Sequence, residues 1–347
     1  MKRNALIDLF RFVCAFLVVV IHIPFPGGVF HGFVFPLTRM VVPFFFMVSG
    51  YFLADENAGR MKRRLNKQIR HIVWLFAGSM LIYFIVRILF IIMQDPSGTP
   101  GNLLVLLDWN SWLRLLAIND TAGFPAGHLW YLSALLYAMV VIRRALEHFE
   151  LKKLYWPALI LGLLLVPLLV WQKSPQAANV PLSLVRNYLF FGFPCLMAGA
   201  WLKCNAQRIL TWPRKFVMIL PVVFALLAIG ERWLVYSWLG FGSMVTFFNA
   251  LLLAASLIVL SVHFPAAGAR TVFPQWGARY SLMIYIIHII PLRVLDAAAG
   301  AWGCREASWY RWSAPIVVFL LAFGFAVLWE GAMSKLKERK QAKATVS

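Results

Sequence analysis

Ten apolar runs, each close to the length that crosses a bilayer, follow one another along the 347 residues and leave only short polar connections between them. About 20 apolar residues in a helix span a hydrocarbon core, and each such segment must satisfy its backbone hydrogen bonds internally. The runs fall at 6–25, 33–54, 72–93, 128–146, 154–171, 184–202, 216–231, 243–262, 280–296 and 313–333. They predict an all-α polytopic membrane protein, a bundle of about ten transmembrane helices. A composition of 62% hydrophobic and 13% charged residues, with mean hydropathy +0.76, excludes an ordinary water-soluble domain. The first run reads as a helix rather than a signal peptide: it is long, it holds Arg11, and PFPGG after it offers no small-residue cleavage site. A membrane domain over 1–334 and a short basic cytoplasmic tail over 335–347 account for the chain, with no internal repeat visible.

The net charge of +20 points to membrane topology rather than nucleic acid. Of the 33 lysines and arginines, 23 sit in the N-terminal MKR, in alternate connections (60–70, 143–153, 203–215, 265–279) and in the tail from Lys335, against five in the opposite loops. Basic residues accumulate on the cytoplasmic side, so both termini are expected there. Four cysteines without a CxxC pair indicate neither a disulfide framework nor a metal site. The longest outer connection, 94–126, is expected to lie on the interface or fold over the bundle mouth.

Ionisable side chains within spans are costly enough to mark function. The first run carries Asp8, Arg11 and His22, and the eleven-residue step from Arg11 to His22 is about three helical turns, which puts both on one face. One polar stripe therefore reaches from the inner half of the span towards its outer end, as a carrier needs and as an enzyme taking its donor from one side and its acceptor from the other also needs. Arg39 lies in the outer half of the second run, ahead of Pro43 and Ser49-Gly50. Pro43 is expected to break that helix, and Ser49-Gly50 to let it pack closely against the first. The 60–71 stretch, RMKRRLNKQIRH, places Arg63, Arg64, Lys67 and Arg70 at helical spacing, where they can converge on phosphates as well as on anionic headgroups. No soluble-enzyme signature is present. His22 is the best base available, since neutral imidazole can take a hydroxyl proton near neutral pH.

The arginine, ten intervening residues and a histidine in the first span, then VPFFFMVSGYFL, KRRLNKQIR leading into a span, HLWYL and SLMIYIIH, resemble in that order the acyltransferase-3 family of bacterial membrane acyltransferases. Stand-alone members and the membrane half of membrane-bound serine racemases look most similar.

The resemblance implies transfer of an acyl group, usually acetyl, from cytoplasmic acyl-CoA to a hydroxyl of an extracytoplasmic or lipid-linked glycan, in the bacterial cytoplasmic (inner) membrane and among membrane lipid. It makes His22 the catalytic histidine and Arg11 its helix partner. The family's R-x-x-R element falls on Lys67 and Arg70, so its first arginine is a lysine here, and Arg63 or Arg64 is expected to compensate. Arg63, Arg64, Lys67 and Arg70 are thus the expected acyl-CoA contacts, with Asp8 and Arg39 joining Arg11 and His22 at the reacting centre. The donor is the only cofactor expected; no metal is. The hydrolase-like domain fused to some members is not in this sequence, so the membrane domain is expected to serve the acceptor alone. The alternative is a transporter or exporter of a small polar or amphiphilic solute that uses the same stripe as its path.

Overall fold

Asn4 starts the first helix: its side-chain oxygen accepts the Ile7 N–H at 3.1 Å, satisfying one of the donors that a helix start leaves open. This helix, α1 (Ala5–His22), stops before Ile23 because Pro24 follows, and a residue that precedes proline is driven from the helical region. The computed structural model describes residues 4–94, 108–171, 182–240 and 246–344. After α1 come α2 (Val41–Leu53), α3 (Ala58–Gln94), α4 (Trp109–Ile118), α5 (Trp130–His148), α6 (Tyr155–Trp171), α7 (Phe193–Cys204), α8 (Arg214–Leu239), α9 (Phe248–His263), α10 (Phe273–Ile287), α11 (Ile289–Ala301) and α12 (Ser308–Ala344). Every regular element among the described residues is helical.

Seven helical segments among the described residues are long and apolar enough to cross a membrane, and the bent pair α10–α11 makes an eighth. Two shorter apolar segments occupy the remaining expected positions: α9, and 188–204, where a π-turn (Tyr188–Gly192) runs into α7. The second expected span departs from a straight helix. A π-turn (Phe30–Val34), a four-residue helix (Phe35–Thr38) and a turn at Arg39 and Met40 precede α2. Pro43 does not break α2, contrary to expectation. It is the helix's third residue, where its missing N–H would have had no intrahelical acceptor. The ninth span bends by 50° at His288. Pro291 explains the bend, since it supplies no N–H and its ring crowds the carbonyl four residues back, that of Ile287. The last helix continues through position 334 to Ala344.

The described chain divides into two compact units, Met1–Val41 with Phe264–Ser347, and Val42–His263. In the first, α1 lies against α10. A Cβ at Gly277 would overlap the Asp8 carbonyl and sit 2.9 Å from the Phe12 backbone nitrogen, so only glycine lets the helices approach this closely. Phe12 fills the remaining space, its ring 5.5 Å from Phe273, 5.6 Å from Trp276 and 5.7 Å from Phe319. Asp8 meets Gly277 and His22 meets His288, so α1 and α10 run in parallel. Phe12 meets Phe323 and Phe16 meets Phe319, so α12 runs antiparallel to them. These directions match the first, ninth and tenth of ten alternating spans.

In the second unit, the close approach that Gly50 permits is made to α7, not to the first helix as expected. A Cβ at Gly50 would overlap the Leu196 carbonyl, and one at Gly199 would overlap that of Met47. Phe46, Tyr131, Trp130 and Phe191 close the packing beside this crossing. Of the long outer connection, 95–107 lie outside the described residues. The part from Asp108 onward is tied to the unit by buried Asn119, whose left-handed backbone (φ 52°) is compatible with its short amide side chain and whose Oδ1 accepts the Tyr188 N–H at 2.9 Å.

Candidate active site

The polar face of α1 begins with an ion pair. Asp8, only 5% exposed, places Oδ1 3.2 Å from Nη1 of Arg11 one turn later. A guanidinium held in the apolar part of a helix needs a partner, and here its own helix supplies one. His22 is the last residue of the same helix and is exposed. At a rise of about 1.5 Å per residue, Arg11 and His22 lie about 16 Å apart along the axis, so they cannot touch one reacting carbonyl. The structure therefore groups Asp8 with Arg11 and separates both from His22.

His22 has a neighbour from another helix. The ring of His288 lies with its centroid 5.0 Å from that of His22, the planes tilted by 48°. His288 is fully buried, and its Nδ1 lies 2.8 Å from the Tyr285 carbonyl oxygen and 3.2 Å from that of Ile284. A carbonyl only accepts, so Nδ1 carries a proton and donates; in the neutral ring Nε2 is then the acceptor. His288 ends the SLMIYIIH motif but is not among the site residues expected from the sequence. A signal was available: each histidine closes a helix just ahead of a proline, Pro24 or Pro291, on two spans expected to run in the same direction.

Arg39 follows the four-residue helix, and its guanidinium lies over the Phe35 ring at 4.0 Å, a cation–π contact that helps hold a charge at the edge of an apolar segment. It belongs to the same unit as His22 and His288.

The basic stretch forms the first turns of α3 in the other unit, and the structure divides its four expected contacts. Arg63, Lys67 and Arg70 recur at steps of four and three on one exposed stripe, opposite the buried Met61, Leu65 and Ile72. Trp74 continues that stripe and is exposed, as befits the edge of an apolar layer. Arg64 turns away: its Nη2 lies 3.1 Å from Asp55 Oδ2 and its Nη1 donates to the Ala54 carbonyl at 3.1 Å. Arg60 binds the same carboxylate, with Nε 3.0 Å from both oxygens. The Arg60 hydrogen bond holds the Asp55 carboxyl below the usual carboxylate range, assisted by the Asn57 backbone N–H and the charges of Arg60 and Arg64. Arg64 thus clamps the start of α3, while three cations on one stripe are presented outward.

Within the same unit, α6, α7 and α9 enclose an apolar groove of ≈ 640 Å³, with Gly162, Pro194 and Phe248 in its walls and Lys152 and Tyr155 at one end. Among the described residues, no three histidine, cysteine or acidic side chains are grouped as a metal site.

A family model described as an acyltransferase domain matches residues 4–334. Over 167 residues the chain is 30% identical to a serine/alanine racemase of Enterococcus gallinarum, an alignment covering 45% of this chain and 22% of that protein. Over 154 residues it is 32% identical to an amino-acid racemase of Enterococcus faecalis, covering 42% and 20% respectively. The chain thus aligns with about a fifth of the length of these curated relatives. No solved structure matches.

Proposed function

The chain belongs to the acyltransferase-3 family of integral membrane acyltransferases, and from that premise we propose that it is an O-acyltransferase, moving an acetyl group from cytoplasmic acyl-CoA to a hydroxyl of an extracytoplasmic or lipid-linked glycan. The observation that carries this reading is the exposed imidazole of His22, held at the end of a membrane helix beside a second, buried imidazole.

His22 acts on the acceptor. Its basic nitrogen takes the hydroxyl proton as the oxygen attacks the thioester carbonyl; the tetrahedral intermediate then expels the CoA thiolate, which receives that proton from the imidazolium. A two-step route through an acyl-imidazole uses the same atom: its nitrogen attacks the thioester first, and the hydroxyl then displaces it from the acyl group. Arg39, in the same unit as His22, is the candidate cation for the oxyanion. Asp8 and Arg11 form a pair that fixes the inner end of α1. The nucleotide end of acyl-CoA carries several phosphate charges, which Arg63, Lys67 and Arg70 bind from their common stripe. The groove among α6, α7 and α9 suits the acyl chain of a bilayer lipid. The positive-inside distribution supports a multi-pass protein of the bacterial inner membrane with both termini cytoplasmic.

The test uses purified protein in proteoliposomes with labelled acetyl-CoA and a glycan acceptor. Label is expected to reach the acceptor with wild type and not with a folded His22→Ala variant. Normal transfer by His22→Ala overturns the reading, and solute uptake without any acyl donor favours the transporter.

A further inference from the structure

Resting on His22 as the proton acceptor, we propose that His288 is a positioning residue for it: the Nε2 of His288 accepts a hydrogen bond from a ring N–H of His22, which sets the tautomer of His22 and steadies its charged form. Three observations converge on this role. The ring centroids are 5.0 Å apart and the planes tilted by 48°, which puts the two imidazoles edge to edge within reach of one another. The Nδ1 of His288 is committed as a donor to the Tyr285 carbonyl at 2.8 Å, so its other nitrogen is the one that can accept. The ring is fully buried at a proline-generated bend, so its orientation is set by the surrounding helix rather than by solvent.

The pairing does for His22 what a carboxylate does for the histidine of a hydrolytic triad, but without a formal charge in the apolar layer. With one His22 nitrogen donating to His288, the other carries the lone pair and is the one that meets the acceptor hydroxyl. When it takes the hydroxyl proton, the positive charge spreads to the donating N–H and strengthens that bond; when the proton passes to the CoA thiolate, the original tautomer returns.

Two substitutions separate positioning from mere support of the bend. His288→Asn keeps a donor near the Nδ1 position for the Tyr285 carbonyl but has nothing at Nε2. His288→Gln puts a carbonyl oxygen near Nε2. In proteoliposomes whose His22→Ala variant is inert, His288→Asn is expected to lose about tenfold or more in kcat with the KM for acetyl-CoA unchanged, as removal of a hydrogen bond to a charged group implies, while His288→Gln stays within about threefold of wild type. Wild-type kcat in His288→Asn, or equal losses in both variants, overturns the inference. A readout independent of catalysis is the ¹⁵N signal of the His22 ring, assigned by its absence in His22→Ala: it is expected to move in His288→Asn and to be retained in His288→Gln. If His22→Ala transfers acyl groups normally, the functional reading fails by itself and the nitrogen signals decide the pairing, an unmoved His22 signal in His288→Asn overturning it.

Discussion

The backbone carbonyl of Asp8 occupies the place where a side chain on Gly277 would begin. Residue 277 thereby sets the distance between the helix that ends in His22 and the helix that ends at His288. Gly277→Ala is expected to push α10 off α1 and to cost about 1–3 kcal/mol, the usual range for forcing extra volume into a packed contact. Because α1 and α10 run in parallel from this point, the same change should widen the histidine pair. Thermal unfolding in detergent checks the first effect. The His22 ring ¹⁵N signal checks the second, and unchanged values in both would show that the helices yield without cost.

The Asp8–Arg11 pair is predicted to support the helix rather than take part in chemistry. Asp8→Asn or Arg11→Ala leaves one poorly solvated polar group without its partner, which typically costs about 1–3 kcal/mol. The double variant Asp8→Ala with Arg11→Ala removes both charges and should be less unstable than the sum of the single variants. A double-mutant cycle on unfolding free energy reads the coupling directly. Additive losses would mean that the pair contributes nothing as a pair, and a loss of kcat at full stability would return Arg11 to the reaction.

The division of the basic stretch gives opposite expectations for neighbouring arginines. Alanine at Arg63, Lys67 or Arg70 should raise the KM for acyl-CoA about fivefold to tenfold each, with an effect that shrinks at high salt because these groups are exposed. Lys67→Arg should lower the KM, since a guanidinium grips phosphate through two parallel donors where an ammonium acts as a point charge. Arg64→Ala should leave the KM near wild type and instead loosen the start of α3. Initial rates against acyl-CoA concentration distinguish the two groups, and a KM rise confined to Arg64→Ala would reverse the assignment.

What was legible in the sequence followed from the solvent. A bilayer penalises every exposed backbone group and every buried charge, so span positions, the family resemblance and the oddity of His22 could all be read from residue types and spacing. Partners could not. Ser49-Gly50 announced a close helix approach, but its face carries no mark saying that Leu196 rather than a residue of α1 lies opposite. Pro43 suggested a kink because its distance from the helix start was unknown, and that start depends on the turn at Arg39 and Met40. Arg64 looked identical to Arg63 as a phosphate ligand. The difference is Asp55, nine residues earlier across a tight turn, which binds Arg64 and leaves Arg63 outward. His288 went unassigned for a similar reason, since its meaning comes from a helix more than 260 residues away in sequence.

Asp55 also makes the clamp sensitive to acid. Hydrogen bonding from Arg60 lowers the carboxyl's affinity for protons in the folded chain relative to the unfolded one. A group whose folded value is depressed contributes stability that is fully present above its unfolded value, about 3.9, and that is lost as pH falls through the lower folded one. The join between α2 and α3 should therefore hold unchanged from neutral pH down to about 4 and loosen below it. Asp55→Asn should show the loosened state already at neutral pH. Amide hydrogen exchange across 54–64 reports the change, with faster exchange expected in Asp55→Asn at pH 7 and in wild type only in the acid range. Equal protection in both proteins at neutral pH would show that the Arg64 contact to the Ala54 carbonyl holds the turn without the carboxylate.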